Sequence, residues 1–383
     1  KVGVWYKGEG VYGYKHDSSS EVEQLASGQF RFAETTTAIG HCSLSCCDGI
    51  KDIIFPNSIV SFGRNMLIGS NFIQKIQTPF VGASRTATDY EAELGFWFQR
   101  YNCWWTEYYQ TGYTNRVVKY NDSNSWTISE PNSLTTVIVT DCETIAQRCF
   151  YGFYRLQTIV LPFGQDADLT NLVGLPSNYD DIVWGTRSLK KIGKYAFYDL
   201  QNLKEIYIPV TVTEIEHQAF YSCDVLAKAV LNNKVTGTNM FEECTKLTTV
   251  YAKYIETFAN YAFYNDSAIS ILTNDYAKTI GDYTFYNCNA LKEFTTSKRN
   301  INSFVGWVDE NSIVHGVVSI GNYAFAECDN FTYPIKEDSE YSQLKTIGDY
   351  AFYNDDRLGG ATYDKYNEVT TPVDKTNYDE YYV

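Results

Sequence analysis

The side chains able to do chemistry are thinly spread. Nucleophilic catalysis needs a base and an orienting group beside the nucleophile, yet the four histidines, His16, His41, His217 and His315, stand at unrelated places. No triad follows from that spacing. GxSxG, HExxH and phosphate-loop motifs are absent, and Asp166 with Asp168 lacks the glycine and terminal glutamate of a calcium loop. Cys42, Cys46 and Cys47 beside His41 supply metal-binding atom types, but not at the spacing of a zinc knuckle. The sequence therefore assigns no catalytic residue, no metal ligand and no cofactor. Asn121, Asn265 and Asn330 head Asn-x-Ser/Thr triplets, which matter only in a glycosylating host.

Charge narrows the partners. The 383 residues carry 31 Lys plus Arg against 46 Asp plus Glu, a net charge of -15, which repels a phosphate backbone and argues against nucleic acid. No apolar run approaches the roughly 18 residues needed to insert into a membrane. The opening Lys1, with neither Met nor a charged-then-apolar leader, reads as a processed or trimmed start. Tyr occurs 33 times and Phe 22 times against two Met, so the large apolar mass is aromatic and many rings must be partly exposed.

The elements that would position any site come from one repeating pattern, clearest as IGKYAFYDLQNLKEIYIP from Ile192 to Pro209. Copies begin at Ile39, Phe62, Ile145, Ile215, Thr236, Phe258, Ile280, Ile320 and Ile347, and Leu134–Val139 reads as half of another. With the first residue as position 0, apolar residues recur at 0, 4, 5, 11, 14 and 16. Alternation at 14 to 16 predicts a strand with one buried face. Strands centred on Ile53, Ile76, Val137, Ile159, Ile206, Ala229, Val250, Leu272 and Phe294 are expected to stack into one parallel sheet, about 4.8 Å per coil and roughly 50 Å long. Pro56, Pro79, Pro162 and Pro209 end strands because proline lacks the ladder donor. Gly193, Gly281, Gly321 and Gly348 mark a tight turn where a side chain or a negative φ would be costly. Cys47, Cys223, Cys244, Cys288 and Cys328 all fall at position 8, as do Ser70 and Asp266, so the thiols are expected to fill an inner turn unpaired, bonded weakly to adjacent backbone.

This pattern, IGxYAFYxCxxLKxIxIP, resembles the BspA-like leucine-rich-repeat family of bacterial surface proteins. The resemblance implies a right-handed leucine-rich-repeat solenoid with a parallel β-sheet on the concave face and an irregular or short-helical convex side. It also implies an extracellular or cell-surface setting and adhesion or protein binding, and it brings no catalytic motif. On this reading residues 1–38 form an N-terminal cap, 39–362 the solenoid with an aromatic insertion at 80–131, and 363–383 an acidic, Tyr-rich tail or linker. Shorter insertions at 163–187 and 296–317 follow strands and would emerge along one edge.

The leading functional expectation is a non-catalytic recognition module that binds a host or bacterial surface protein or a glycan. The alternative is a structural spacer of a larger surface protein, and the third is an enzyme with the insertions as a rim. A spacer would carry polar residues at positions 13 and 15, a binder aromatic ones. That row is mixed, with Tyr207 and Tyr251 standing out. The expected binding face comprises Glu205, Tyr207, Lys228, Thr249 and Tyr251, with Trp97, Trp104 and Trp105 as a secondary patch.

Overall fold

The computed structural model describes residues 4–8, 11–15, 28–45, 47, 49–98, 113–121, 124–167, 169, 182–292, 294–295, 307–331 and 343–354. The chain divides into two units, one formed by Lys1–Asp168 with Ser177–Leu203 and one by Leu169–Pro176 with Lys204–Val383. Each is built of stacked parallel coils. In the first unit, Gln29–Arg31, Asp52–Ile54, Lys75–Thr78, Thr136–Val139 and Thr158–Val160 form a five-stranded parallel ladder. The second unit repeats this with Glu205–Ile208, Lys228–Leu231, Thr249–Tyr251, Ile271–Thr273 and Phe294–Thr295. All nine expected strands are present, divided between two ladders, one in each unit. The first ladder starts at Gln29, within the stretch expected to be a cap.

Register explains the buried face. Ile53 pairs with Ile76 and Ile76 with Val137, all at position 14 and all fully buried. Ile206, Ala229, Val250 and Leu272 repeat that row in the second unit. A second feature, invisible in the alternation, is a two-residue strand ending at position 0. Thr257–Phe258, Thr279–Ile280, Ser319–Ile320 and Thr346–Ile347 form a four-stranded ladder of this kind. Seven of the copies, those from Ile39, Phe62, Ile145, Ile192, Ile215, Phe258 and Ile280, thus carry two described strands each. Among the described residues the only helices are the short 3-10 turns Asp89–Ala92 and Leu94–Trp97 in the aromatic insertion.

The Ala-Phe pair fills the other side of the core. Phe220, Phe241, Phe263, Phe285, Phe325 and Phe352 stack face to face with centroids 5.2 to 5.4 Å apart. Burying one such ring is worth about 2 to 3 kcal/mol, so this column is a main source of cohesion between coils.

The glycine at position 1 is required by close approach, not by φ. A Cβ on Gly193 would lie 2.5 Å from the Gln147 nitrogen of the preceding coil, and one on Gly348 would lie 2.4 Å from that of Asn322. These glycines do not have positive φ, which corrects the expectation made for them. The left-handed residues stand elsewhere. Position 3 has φ between 51° and 59° in all ten copies, from Cys42 to Tyr350, and position 7 is left-handed in every copy described there.

Position 8 is a donor-acceptor ladder. The Cys244 thiol donates to the Phe220 carbonyl at 3.2 Å, Cys288 to Phe263 at 3.2 Å and Cys328 to Phe285 at 3.0 Å, each one coil back. Ser70 makes the same bond to Leu44 at 2.7 Å and accepts from the Cys47 amide at 3.0 Å. Cys142, Cys149, Cys244 and Cys288 are free thiols. Burial pushes the thiols of Cys149, Cys244 and Cys288 well up. Asp266 occupies the same position, fully buried, its Oδ1 accepting from the Cys244 amide at 2.8 Å and its Oδ2 without a partner. Desolvation holds this carboxyl well above the usual range, reinforced by Glu243, Glu242 and Cys223 and opposed by the Cys244 amide.

Candidate binding surface

Adjacent strands bring five of the expected binding residues together. Register places Glu205 beside Lys228 and Lys228 beside Thr249, while Val230 separates Tyr207 from Tyr251 in the next row. Alternation along a strand sets positions 13 and 15 opposite the row at position 14, and at position 15 Tyr207 and Val230 are themselves buried. The Tyr207 hydroxyl donates to Glu205 Oε2 at 2.7 Å, and Lys228 Nζ donates to the Tyr207 hydroxyl at 3.0 Å. The ammonium lies 3.9 Å from Glu205 Oε2. It also sits 5.0 Å from the Tyr207 ring centroid and 5.9 Å from that of Tyr251. A cation between two aromatic rings, tethered to a carboxylate, is the result.

Exposure within the cluster is uneven. Tyr207 is only 4% exposed and forms its floor, whereas Tyr251, Lys228, Glu205 and Thr249 are half-buried. Ile271, paired with Thr249, is 43% exposed and extends the face with an apolar side chain. The sequence did not mark Ile271, because isoleucine is expected in any strand.

The secondary patch is corrected at Trp97. This indole is fully buried, donates from Nε1 to the Gly82 carbonyl at 3.0 Å and packs edge-on against Phe62 at 5.0 Å. Phe96 and Phe98 are buried with it, so the start of the aromatic segment is core and offers no contact surface. Trp104 and Trp105 lie outside the described residues. The backbone of the insertion closes as an antiparallel hairpin, Tyr113–Asn121 against Asn124–Pro131.

Where the 163–187 insertion leaves the coil, Asp141 is buried and receives bonds from Arg85 Nη2, Arg187 Nη1 and the Arg187 amide. Arg85 also donates to the carbonyls of Asn57 and Ile59 and lies over the Phe80 ring. Beside them, burial and the neighbouring Asp141 charge push the Cys142 thiol up to about 12. The arrangement ties the root of the loop and offers no reactive group. In the 296–317 insertion, Trp307–Val308 pairs antiparallel with Val314–His315, and His315 Nε2 stands 3.0 Å from Asp309 Oδ2. Among the described residues no group of three or more His, Cys, Asp or Glu converges as a metal site, and no helix is long and apolar enough to cross a membrane.

The family model for a BspA type leucine rich repeat region matches in six copies over residues 23–84, 178–292, 237–311 and 302–367. No curated protein matches the chain. Among solved structures, a leucine-rich repeat protein from Bacteroides ovatus is 15% identical with a TM-score of 0.36, over 94% of this chain and 92% of that one. One from Eubacterium ventriosum is 13% identical with a TM-score of 0.35, over 95% and 98%. A leucine rich cell surface protein from Faecalibacterium prausnitzii is 13% identical with a TM-score of 0.30, over 94% and 88%. Likeness at this level says nothing of partner or activity. The repeat model spans well over half of the 383 residues, and the chain belongs to the BspA-type leucine-rich repeat family.

Proposed function

We propose that this chain is a non-catalytic recognition module, displayed outside the producing cell, that binds a protein or glycan on the outward face of the second-unit ladder. The observation carrying this reading is the Glu205, Tyr207, Lys228 and Tyr251 cluster. There a lysine is oriented by a phenol and a carboxylate between two rings, with Ile271 open beside it. A cation and hydroxyls fixed before contact lower the ordering cost of binding, and Tyr with Lys offers polar and apolar contact together. The surface setting rests on the family.

The test is a screen of host matrix proteins and glycans, followed by Lys228→Met and Tyr251→Ser against whichever partner is captured. Loss of attachment, at about 2 kcal/mol for a central anchor, is expected from each variant with little change in melting temperature. Attachment unchanged by both variants refutes this face. A chain that captures nothing while a neighbouring domain does would favour the spacer reading.

A further inference from the structure

A second surface lies on the turns, away from the ladder strands. At position 3 of four successive coils, Tyr261, Tyr283, Tyr323 and Tyr350 stack nearly parallel with centroids 4.9, 4.9 and 5.0 Å apart. A second column flanks it at position 6, where Tyr264 stacks on Tyr286 at 5.1 Å and Tyr353 meets Tyr350 edge-on. All seven rings are half-buried, so one side of the stripe faces solvent.

Local backbone preference does not account for the column. The four position-3 tyrosines have φ between 53° and 58°, a region that costs a bulky residue about 1 to 2 kcal/mol. Asn65 and Asn239 show that asparagine, which tolerates this conformation better, serves the same turn in other coils. Stacking offsets part of the cost, and the aromatic choice needs a further reason.

Charge around the stripe points to its partner. Asp282 and Asp349 directly precede ladder tyrosines. Desolvation first, then neighbouring phenols for Tyr261 and Tyr323 and carboxylates such as Glu242 and Glu327 for Tyr264 and Tyr286, hold these four phenols above their ordinary value. The first unit shows what the same positions do with a cation at hand. There Arg148 lies over the Tyr151 ring at 5.5 Å, and Lys194 lies over Tyr195 at 4.7 Å. Among the described residues no lysine or arginine lies over a ring of the second-unit stripe.

We propose that the stripe of Tyr261, Tyr283, Tyr323 and Tyr350, with its flanking carboxylates, docks an extended, arginine- or lysine-rich polypeptide segment. The partner's cations would pair with the carboxylates while the aliphatic stems of its arginines and lysines lie along the solvent-facing rim of the column, whose inner ring faces are covered by their neighbours. This surface is separate from the cluster around Lys228, and either can fail without the other.

The test uses a labelled oligo-arginine peptide and the full chain, read by fluorescence anisotropy at low and high salt. Because an acidic protein attracts such a peptide generally, the deciding variant is Tyr283→Asn with Tyr323→Asn. It keeps the charge, suits the left-handed turn and copies Asn239. Affinity should fall at least about tenfold with the melting temperature held within a few degrees. In the unaltered chain, bound peptide should also slow nitration of Tyr283, Tyr323 and Tyr350 by tetranitromethane, a readout that needs no folded variant. Undiminished affinity in the variant, absence of nitration protection, or no peptide binding at low salt overturns the proposal. So does a glycan that binds through these tyrosines while the peptide does not.

Discussion

Replacing Asp266 with asparagine should stabilise the protein at neutral pH and leave it nearly unchanged in acid. The residue is fully buried at a ladder position where Ser70, Cys244, Cys288 and Cys328 each donate a hydrogen to the carbonyl one coil back, a place that for this coil falls to the Phe241 carbonyl. An ionised carboxylate cannot donate, and its Oδ2 has no partner. A buried unsatisfied oxygen alone costs about 1 to 3 kcal/mol. Asparagine has the same shape, can accept from the Cys244 amide through Oδ1 and can donate through Nδ2. The folded-state pKa of Asp266 is raised, so its contribution to stability is fully present below the unfolded value of about 3.9. It is lost as pH rises from there through the folded value. Over that window the variant should gain on the parent by about 1.4 kcal/mol per pH unit, the slope for one proton. Urea midpoints measured between about pH 4 and pH 8 read the difference directly. A difference that stays flat with pH, or an asparagine variant that is weaker at neutral pH, refutes the assignment of a protonated acid to this position.

Gly193→Ala should destabilise the first unit by about 1 to 3 kcal/mol, because the new Cβ meets the Gln147 backbone at 2.5 Å; thermal melts check this. Trp97→Ala should cost about 3 to 5 kcal/mol as an emptied core site, and a change under 1 kcal/mol would contradict its burial. Tyr207→Ser should lower the melting temperature clearly more than Tyr251→Ser does, since only Tyr207 lies 4% exposed beneath the cluster; equal shifts would contradict that geometry. Cys149, Cys244 and Cys288 should resist iodoacetamide in the native protein and react after unfolding in urea, because burial raises their pKa and blocks access; mass spectrometry resolves the sites.

Much of the fold was legible because each coil solves the same packing problem with nearly the same residues. Ile53, Ile206 and Val250 could be placed on the buried row from alternation alone, and the register confirms them. The Cys ladder was legible for the same reason. Conformations carried by non-glycine residues were not. Nothing in the letters YAFY announces that the first Tyr has positive φ, since tyrosine is a poor candidate for that region and only the coil geometry imposes it. The two-residue strands at position 0 are too short to show a period. Trp97 was misplaced because a run of aromatics carries no sign of which rings face inward. Arg85 and Arg187 meet Asp141 across separations of 56 and 46 residues, which no local pattern reports. Of the candidate surface, Lys228 and the two tyrosines were found from their shared face, while Ile271 was hidden among ordinary strand formers.

The clasp at Asp141 makes one buried carboxylate the common anchor of distant stretches of the first unit. Gln165 donates to the Gly185 carbonyl at 2.9 Å and Gly185 to the Thr140 carbonyl at 2.9 Å, so the two ends of the loop between them are pinned to each other and to the coil. Uncoupling one partner of a buried ion pair costs about 3 to 5 kcal/mol. Replacing Asp141 while both arginines stay in place should therefore loosen both pinned ends together. A substitution at Asp141 is felt at once.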